Sequence, residues 1–220
     1  MRKIGKTVIF DKPPKIIGHA GVAGKKEGEG PLAKDFDMIF EDTTMGQQSY
    51  ELAESAMLHD AIIRSLSNAG VAPSSVDFVL SGDLLNQCMG SAFALKDLEI
   101  PSIGLFGACS TMALSLSTGA MLVNGGASCV VCATSSHFCS SERQFRFPLE
   151  YGGQRPPTAQ WTVTGAGSSA SVLCSHILKQ MDKGILKKVL FVATGALMSP
   201  TSSKQGNSIP GIAHAVLLER

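Results

Sequence analysis

The sequence predicts an α/β fold built on a largely parallel sheet, and three observations carry that expectation. Strand-like apolar runs alternate with helical ones through the first two thirds of the chain. A turn–helix–strand pattern occurs twice. The run GLFGACSTM, Gly104–Met112, ends an apolar segment, turns through Gly107 and starts a helix. In such sheets ligands gather beyond the carboxyl ends of the strands. Gly82-Asp83, Gly107-Ala108-Cys109 and Ser135-Ser136-His137 are therefore expected on one edge.

Length and composition bound what can be built. A chain of 220 residues fits one large domain or two small ones and can bury a substantial core. Its net charge of +1 gives no basis for binding nucleic acid or for electrostatic attachment to a membrane. No apolar run reaches the roughly 18 residues of a membrane span. The apolar stretch after the basic start, Thr7–Phe10, is too short for the core of a signal peptide. Cys88, Cys109, Cys129, Cys132, Cys139 and Cys174 are scattered, so reduced thiols are expected.

Residues 7–10 and 15–24 read as strands and Lys25–Gly30 as a surface loop. Residues 34–44 carry Asp35, Asp37, Glu41 and Asp42. They lack the ligand alternation and central glycine of a calcium loop, so a solvated connection is expected and no metal site is assigned. Residues 49–69 show helical spacing at Leu52, Ala56, Ile63 and Leu66, with Glu51 and Glu54 near the positive end of the helix dipole. Asn68, Gly70 and Pro73 stop that helix. A strand at 76–80, a helix at 84–97, a strand at 102–106, a helix at about 110–123 and a strand at 128–134 follow. Gly125-Gly126 is available for a left-handed cap.

Cys109 sits at the entrance to the 110–123 helix. Unpaired N–H groups and the dipole there favour a thiolate or a bound anion. A small thiol packed in a tight turn fits the same pattern. Cys129-x-x-Cys132 has redox and zinc spacing, but alternate strand residues point to opposite faces and no second pair exists, which argues against both uses. Residues 135–168 form a long loop holding His137, Glu142, Arg143, Arg146, Arg155 and the single Trp. A loop that long is expected to be functional or to make partner contacts.

The repeat sharpens the reading. GACSTMALSLSTGAMLVNGGASCVVCAT, residues 107–134, is echoed by GAGSSASVLCSHILKQMDKGILKKVLFVAT, residues 165–194. Gly167 stands where the first copy has Cys109. About a hundred residues of strands and helices precede the first copy and nothing equivalent precedes the second. The second half is therefore expected to be truncated. Residues 209–218 supply a final strand containing His214.

GACST, ATSSH, ERQFRFPLEYGGQRPPTAQWTVTGAG, LKKVLFVATGALMSP and QGNSIPGIAHAV together resemble the stage V sporulation protein AD family. The resemblance runs to about Gly167 and resumes near Ser169, with the first part of the second half absent. It implies a thiolase-like fold, largely complete in an N-terminal half (1–168) and reduced to a remnant in the C-terminal half (169–220). It also implies binding of dipicolinic acid, or its calcium complex, for uptake into the developing spore, with no cofactor. Expected partners are the other proteins of that uptake system and a second copy in a homodimer. The expected place is the surface of the forespore or spore inner membrane. Cys109 matches the thiolase nucleophile. His214 lies in IAHAV rather than Gly-His-Pro, and no glycine-flanked second Cys is present, so the acyl-transfer set looks incomplete. Two carboxylates on a pyridine ring need donors, cations and apolar walls. Cys109, Ser110, Thr111, His137, Arg143, Arg146 and His214 are the candidate ligand contacts. A thiolase-like acyl transferase using Cys109, and a structural subunit with a relic pocket, are the alternatives.

Overall fold

Ser49 starts the longest element. Its extended backbone and its hydroxyl, which accepts from the Leu52 N–H, cap the helix Tyr50–Ala69, and Gly70 ends it in the left-handed conformation at φ 66°. That helix belongs to a computed structural model describing residues 1–141, 144, 165–199 and 205–220. In chain order the strands are β1 (Arg2–Ile4), β2 (Thr7–Ile9), β3 (Val22–Gly24), β4 (Met38–Phe40), β5 (Phe78–Gly82), β6 (Ser102–Gly104), β7 (Val130–Thr134), β8 (Lys188–Ala196) and β9 (Gly211–Glu219). The helices are α1 (Lys25–Gly28), α2 (Tyr50–Ala69), α3 (Met89–Leu95), α4 (Thr111–Asn124), α5 (Gly165–Val172) and α6 (Leu178–Asp182). A π-helical turn, Leu173–Ile177, joins α5 to α6.

The α/β expectation holds. β6, β5 and β7 form a parallel sheet with β5 in the middle. β1 and β2 pair as an antiparallel hairpin, β3 and β4 as a short parallel pair, and β8 and β9 as a long antiparallel hairpin. One face of the parallel sheet packs on α2 and α3 through Leu58, Ile62, Leu66, Val79, Ala94 and Leu95. α4 covers the other face and carries the β8–β9 hairpin on its far side. Met112, Leu173, Leu178, Met181 and Phe191 fill that second layer.

After residue 164 one helical run, Gly165–Asp182, leads into β8 and then β9. Residues 168 and 169 both lie inside α5.

Several local expectations change. The inward face of α2 is carried by Ala53, Leu58, Ile62 and Leu66, whereas Leu52 and Ile63 are each 37% exposed. Neighbouring apolar residues offered two stripes, and contact with β5 and α3 selected one. Of the strand expected over 15–24 only Val22–Gly24 is one, because Gly21 and Asp37 exchange hydrogen bonds that begin the β3–β4 pair there. The surface loop expected at Lys25–Gly30 contains α1. The connection expected over 34–44 holds β4, and its carboxylates are not simply solvated. Asp35 pairs with His176 at 2.7 Å and Asp37 with Lys179 at 2.8 Å, tying this segment to the Gly165–Asp182 run. The His176 hydrogen bond holds the Asp35 carboxyl below its ordinary value. Of the Gly125-Gly126 pair, Gly125 is right-handed and Gly126 takes the positive φ.

The Cys129–Cys132 pair divides between the two faces of the sheet. Cys129 packs with the α2 cluster. Cys132 lies under α4 and donates to the Ser115 carbonyl at 3.2 Å, and burial pushes its thiol up to about 12. A Cβ at Gly119 would lie 2.7 Å from that sulfur, so glycine lets α4 approach the strand.

The β8–β9 hairpin leaves one face in solvent. Leu190 and Leu217, opposite each other in the register, are 64% and 55% exposed, and Val192 is 56% exposed. Exposed apolar faces favour association. Sedimentation velocity is expected to show mass rising with concentration. Leu190→Lys with Leu217→Glu, an opposite-charge cross-strand pair, should shift the chain toward monomer. A wild-type chain that stays monomeric at every concentration would refute this.

Candidate functional site

The carboxyl ends of β5, β6 and β7 bring the three expected segments to one edge. At β6 the chain turns through Gly107 into a short 3-10 turn, Ala108–Ser110, and then α4. Ala108 is 3% exposed and held at φ 47°, a left-handed conformation that is strained for a residue with a side chain. Side chains lock the turn. The Ser110 hydroxyl donates to the Gly107 carbonyl at 2.7 Å. The Thr111 hydroxyl donates to the Ala108 carbonyl at 2.8 Å and accepts from the Gly107 N–H at 3.1 Å. Ser110 and Thr111 are fully buried, while Cys109 between them and the solvent is partly exposed. The backbone N–H groups of Ser110 and Thr111 are spent on the Gly107 and Ala108 carbonyls. Those two donors are thus occupied within the turn.

His214 arrives from the other half. It sits on the inward face of β9, opposite Ala193, and its Nδ1 lies 3.0 Å from Ser110 Oγ. A hydroxyl has one proton, and that of Ser110 goes to Gly107. His214 therefore donates through Nδ1–H, and Nε2 of the neutral ring keeps a lone pair. The hairpin can come this close because residue 195 is glycine. A Cβ there would run into the Gly107 carbonyl oxygen, well inside contact distance.

A second polar cluster lies beside the turn. Asp83, fully buried after β5, accepts from the Leu85 N–H at 2.8 Å and from the Ser91 N–H and hydroxyl at 2.7 Å each. Glu54, 1% exposed on α2, accepts from the hydroxyls of Ser135, at 2.9 Å, and Ser140. Burial, reinforced by the nearby Asp83 charge, raises the Glu54 carboxyl from 4.5 to about 7. A Cβ at Gly90 would touch both carboxyl groups. The cluster fixes where the chain leaves β7. Sequence reasoning missed Glu54 as a site residue, since an acid in the second turn of a helix reads as a partner for the dipole.

His137 is anchored rather than free. Its Nδ1 accepts from the Cys139 N–H at 3.1 Å, its Nε2–H donates to the Thr43 carbonyl at 2.9 Å, and the ring stacks on Tyr50. Both ring nitrogens are engaged in holding loops together. Arg143 and Arg146 lie outside the described residues, as do Glu142, Arg155 and the Trp. Among the described residues no group of three or more His, Cys, Asp and Glu side chains gathers to hold a metal ion. No helix among them is long and apolar enough to cross a membrane.

Fold and site define a mixed α/β protein whose polar centre lies beyond a parallel sheet, with one cysteine at a helix entrance and one histidine delivered by a separate hairpin. The model of the family described as stage V sporulation protein AD matches residues 5–169 and again 165–219, and the chain belongs to that family. The stage V sporulation protein AD of Bacillus subtilis (strain 168) is 29% identical over 333 aligned residues, covering 100% of this chain and 98% of that protein. An alignment so much longer than 220 residues opens a large gap opposite this chain, and the two family matches meet at 165–169. A crystal structure of 3-oxoacyl-[acyl-carrier-protein] synthase III from Aquifex aeolicus VF5 aligns with a TM-score of 0.39 at 16% identity, over 57% of this chain and 46% of that one.

Proposed function

We propose that this chain is a non-catalytic binding protein for dipicolinic acid, or its calcium complex, acting in uptake into the developing spore at the surface of its inner membrane. The observation that carries the reading is the His214–Ser110 contact at the Cys109 turn. It holds an imidazole, with Nε2 uncommitted to Ser110, against the residue that follows the partly exposed Cys109 at a helix entrance. Once protonated, Nε2–H is a charge-assisted donor for a carboxylate. A nucleophilic cysteine needs its base within hydrogen-bond reach. The bond His214 makes goes instead to Ser110, which favours binding over acyl transfer. The proposed ligand class follows what the resemblance to the family implies, and the other uptake proteins and a second copy of the chain are the proposed partners.

Isothermal titration with dipicolinate, with and without calcium, tests this. Wild type should give saturable heat, Cys109→Ala should keep it, and His214→Ala should lose about tenfold or more in affinity. Absence of heat with folded protein overturns the reading. The thiolase-like alternative predicts a covalent acyl adduct on Cys109 after incubation with an acyl-CoA, detectable by mass spectrometry. No heat and no adduct would leave the structural-subunit alternative.

A further inference from the structure

The net charge of +1 averages over an uneven chain. Within the first 17 residues Arg2, Lys3, Lys6, Lys12 and Lys15 stand against one carboxylate, Asp11, whereas the rest of the chain carries 14 Lys and Arg against 17 Asp and Glu. The fold gathers those cations on and just beyond the β1–β2 hairpin. Asp11 is answered by the Met1 amine at 3.0 Å and lies 3.9 Å from Arg2 Nε. Lys3, Lys6, Lys12 and Lys15 are exposed and have no ion-pair partner among the described residues.

The hairpin register sorts its side chains. Arg2 opposes Ile9 and Ile4 opposes Thr7, so these four share one face, while Lys3 and Val8 share the other. Val8 and Phe10 are half-buried. The Arg2–Ile9 face is exposed throughout, with Ile4 at 57% and Ile9 at 36%. Gly5, at φ 59°, makes the two-residue turn and puts Lys6 at its tip. β1 and β2 pack chiefly on each other. A two-stranded hairpin is marginal in water unless something covers a face of it.

Outward isoleucines ringed by unpaired lysines fit a surface that is negative and has an apolar layer just beneath. An anionic bilayer is such a surface: its headgroups attract the cations, and apolar side chains reach the acyl boundary. Nucleic acid offers the charge but nothing to take the isoleucines, and the exposed face carries no aromatic ring to stack on bases. We propose that the β1–β2 hairpin and the basic segment after it dock the protein on an anionic lipid bilayer, with Ile4 and Ile9 entering the interface and Lys3, Lys6, Lys12 and Lys15 pairing with headgroup phosphates. The contact deepens the membrane-surface location proposed above and rests on that reading for its setting.

Flotation of the full chain with lipid vesicles tests the contact, because aggregated protein does not float. Phosphatidylcholine vesicles with about one quarter phosphatidylglycerol should bind the protein, pure phosphatidylcholine should bind it about tenfold more weakly, and about 0.5 M salt should release most of it. Lys3→Glu with Lys6→Glu should weaken binding to the anionic vesicles at least about tenfold, and Ile4→Ser with Ile9→Ser several-fold. Lys12→Glu with Lys15→Glu serves if the first variant does not fold. Lys25→Glu with Lys26→Glu makes the same charge change on exposed lysines of α1 and should leave binding within about twofold. Equal binding to the two vesicle types, binding untouched by the hairpin reversals, or an equal loss in the α1 variant overturns the proposal. So does the absence of flotation, or tighter hairpin-dependent binding to duplex DNA than to the anionic vesicles. Dipicolinate takes no part, so failure here sinks the bilayer contact and leaves the ligand reading to its own titration.

Discussion

Glu54→Gln is expected to raise the thermal stability of the protein at about pH 8 and to change it little at about pH 5. The wild-type carboxyl is buried beside Asp83, and its value rises from 4.5 unfolded to about 7 folded. The native state therefore holds its proton more tightly than the unfolded chain does. The stability this confers is fully present below 4.5 and is lost as pH rises through about 7. The loss is roughly 3 kcal/mol, and for a chain of this size each kcal/mol moves the melting temperature by about 2–4 °C. Glutamine keeps an oxygen for the Ser135 and Ser140 hydroxyls, offers N–H groups toward Asp83, and does not ionise. Its melting temperature should stay level where that of wild type falls. Circular dichroism melts of both proteins from acid to alkaline pH decide it, and parallel profiles would show that Glu54 does not titrate as its burial requires.

Gly195→Ala is expected to cost about 3 kcal/mol, the upper end of overpacking, and to weaken ligand binding beyond that loss. The added Cβ meets the Gly107 carbonyl oxygen, a backbone atom fixed by the Ser110 hydroxyl. Neither side can give way as a flexible side chain would. β8 must lift, and its partner β9 carries His214 away from Ser110. Gly211→Ala is the control on the same hairpin. A Cβ there meets nothing, so its stability should stay within about 0.5 kcal/mol of wild type. Chemical denaturation of the two variants, followed by dipicolinate titration of whatever folds, separates them. Equal stability would mean that the hairpin does not press on the turn.

The Cys109 turn was legible because it is local. Gly107, the small residues after it and the apolar run before it sit within a few positions and need no distant partner to be understood. The repeat was legible for a related reason, since two copies of one pattern can be compared within the sequence. Glu54 was not legible. Its burial depends on Ser135 and Ser140, more than eighty residues away, and on Asp83 after a different strand. The choice between Leu52–Ile63 and Leu58–Ile62 as the inward face of α2 likewise belongs to the sheet beneath it. β4 was hidden by acidic neighbours whose charges turn out to be answered by His176 and Lys179. The partnership of His214 with Ser110, rather than with the thiol, depends on how closely a glycine lets one hairpin approach.

That partnership also bears on how the molecule folds. The Ser110–His214 contact joins residues 104 apart in the chain, and the anchors of Glu54 span 81 and 86. Contacts of such long range require loop closure before they return any energy, and chains that depend on them fold slowly. α2 and α4 can form early from local contacts, whereas the polar centre closes only when β9 docks. In a refolding experiment helical signal should therefore return first and ligand binding last. During that interval the apolar layer between α4 and the hairpin stands open to other chains.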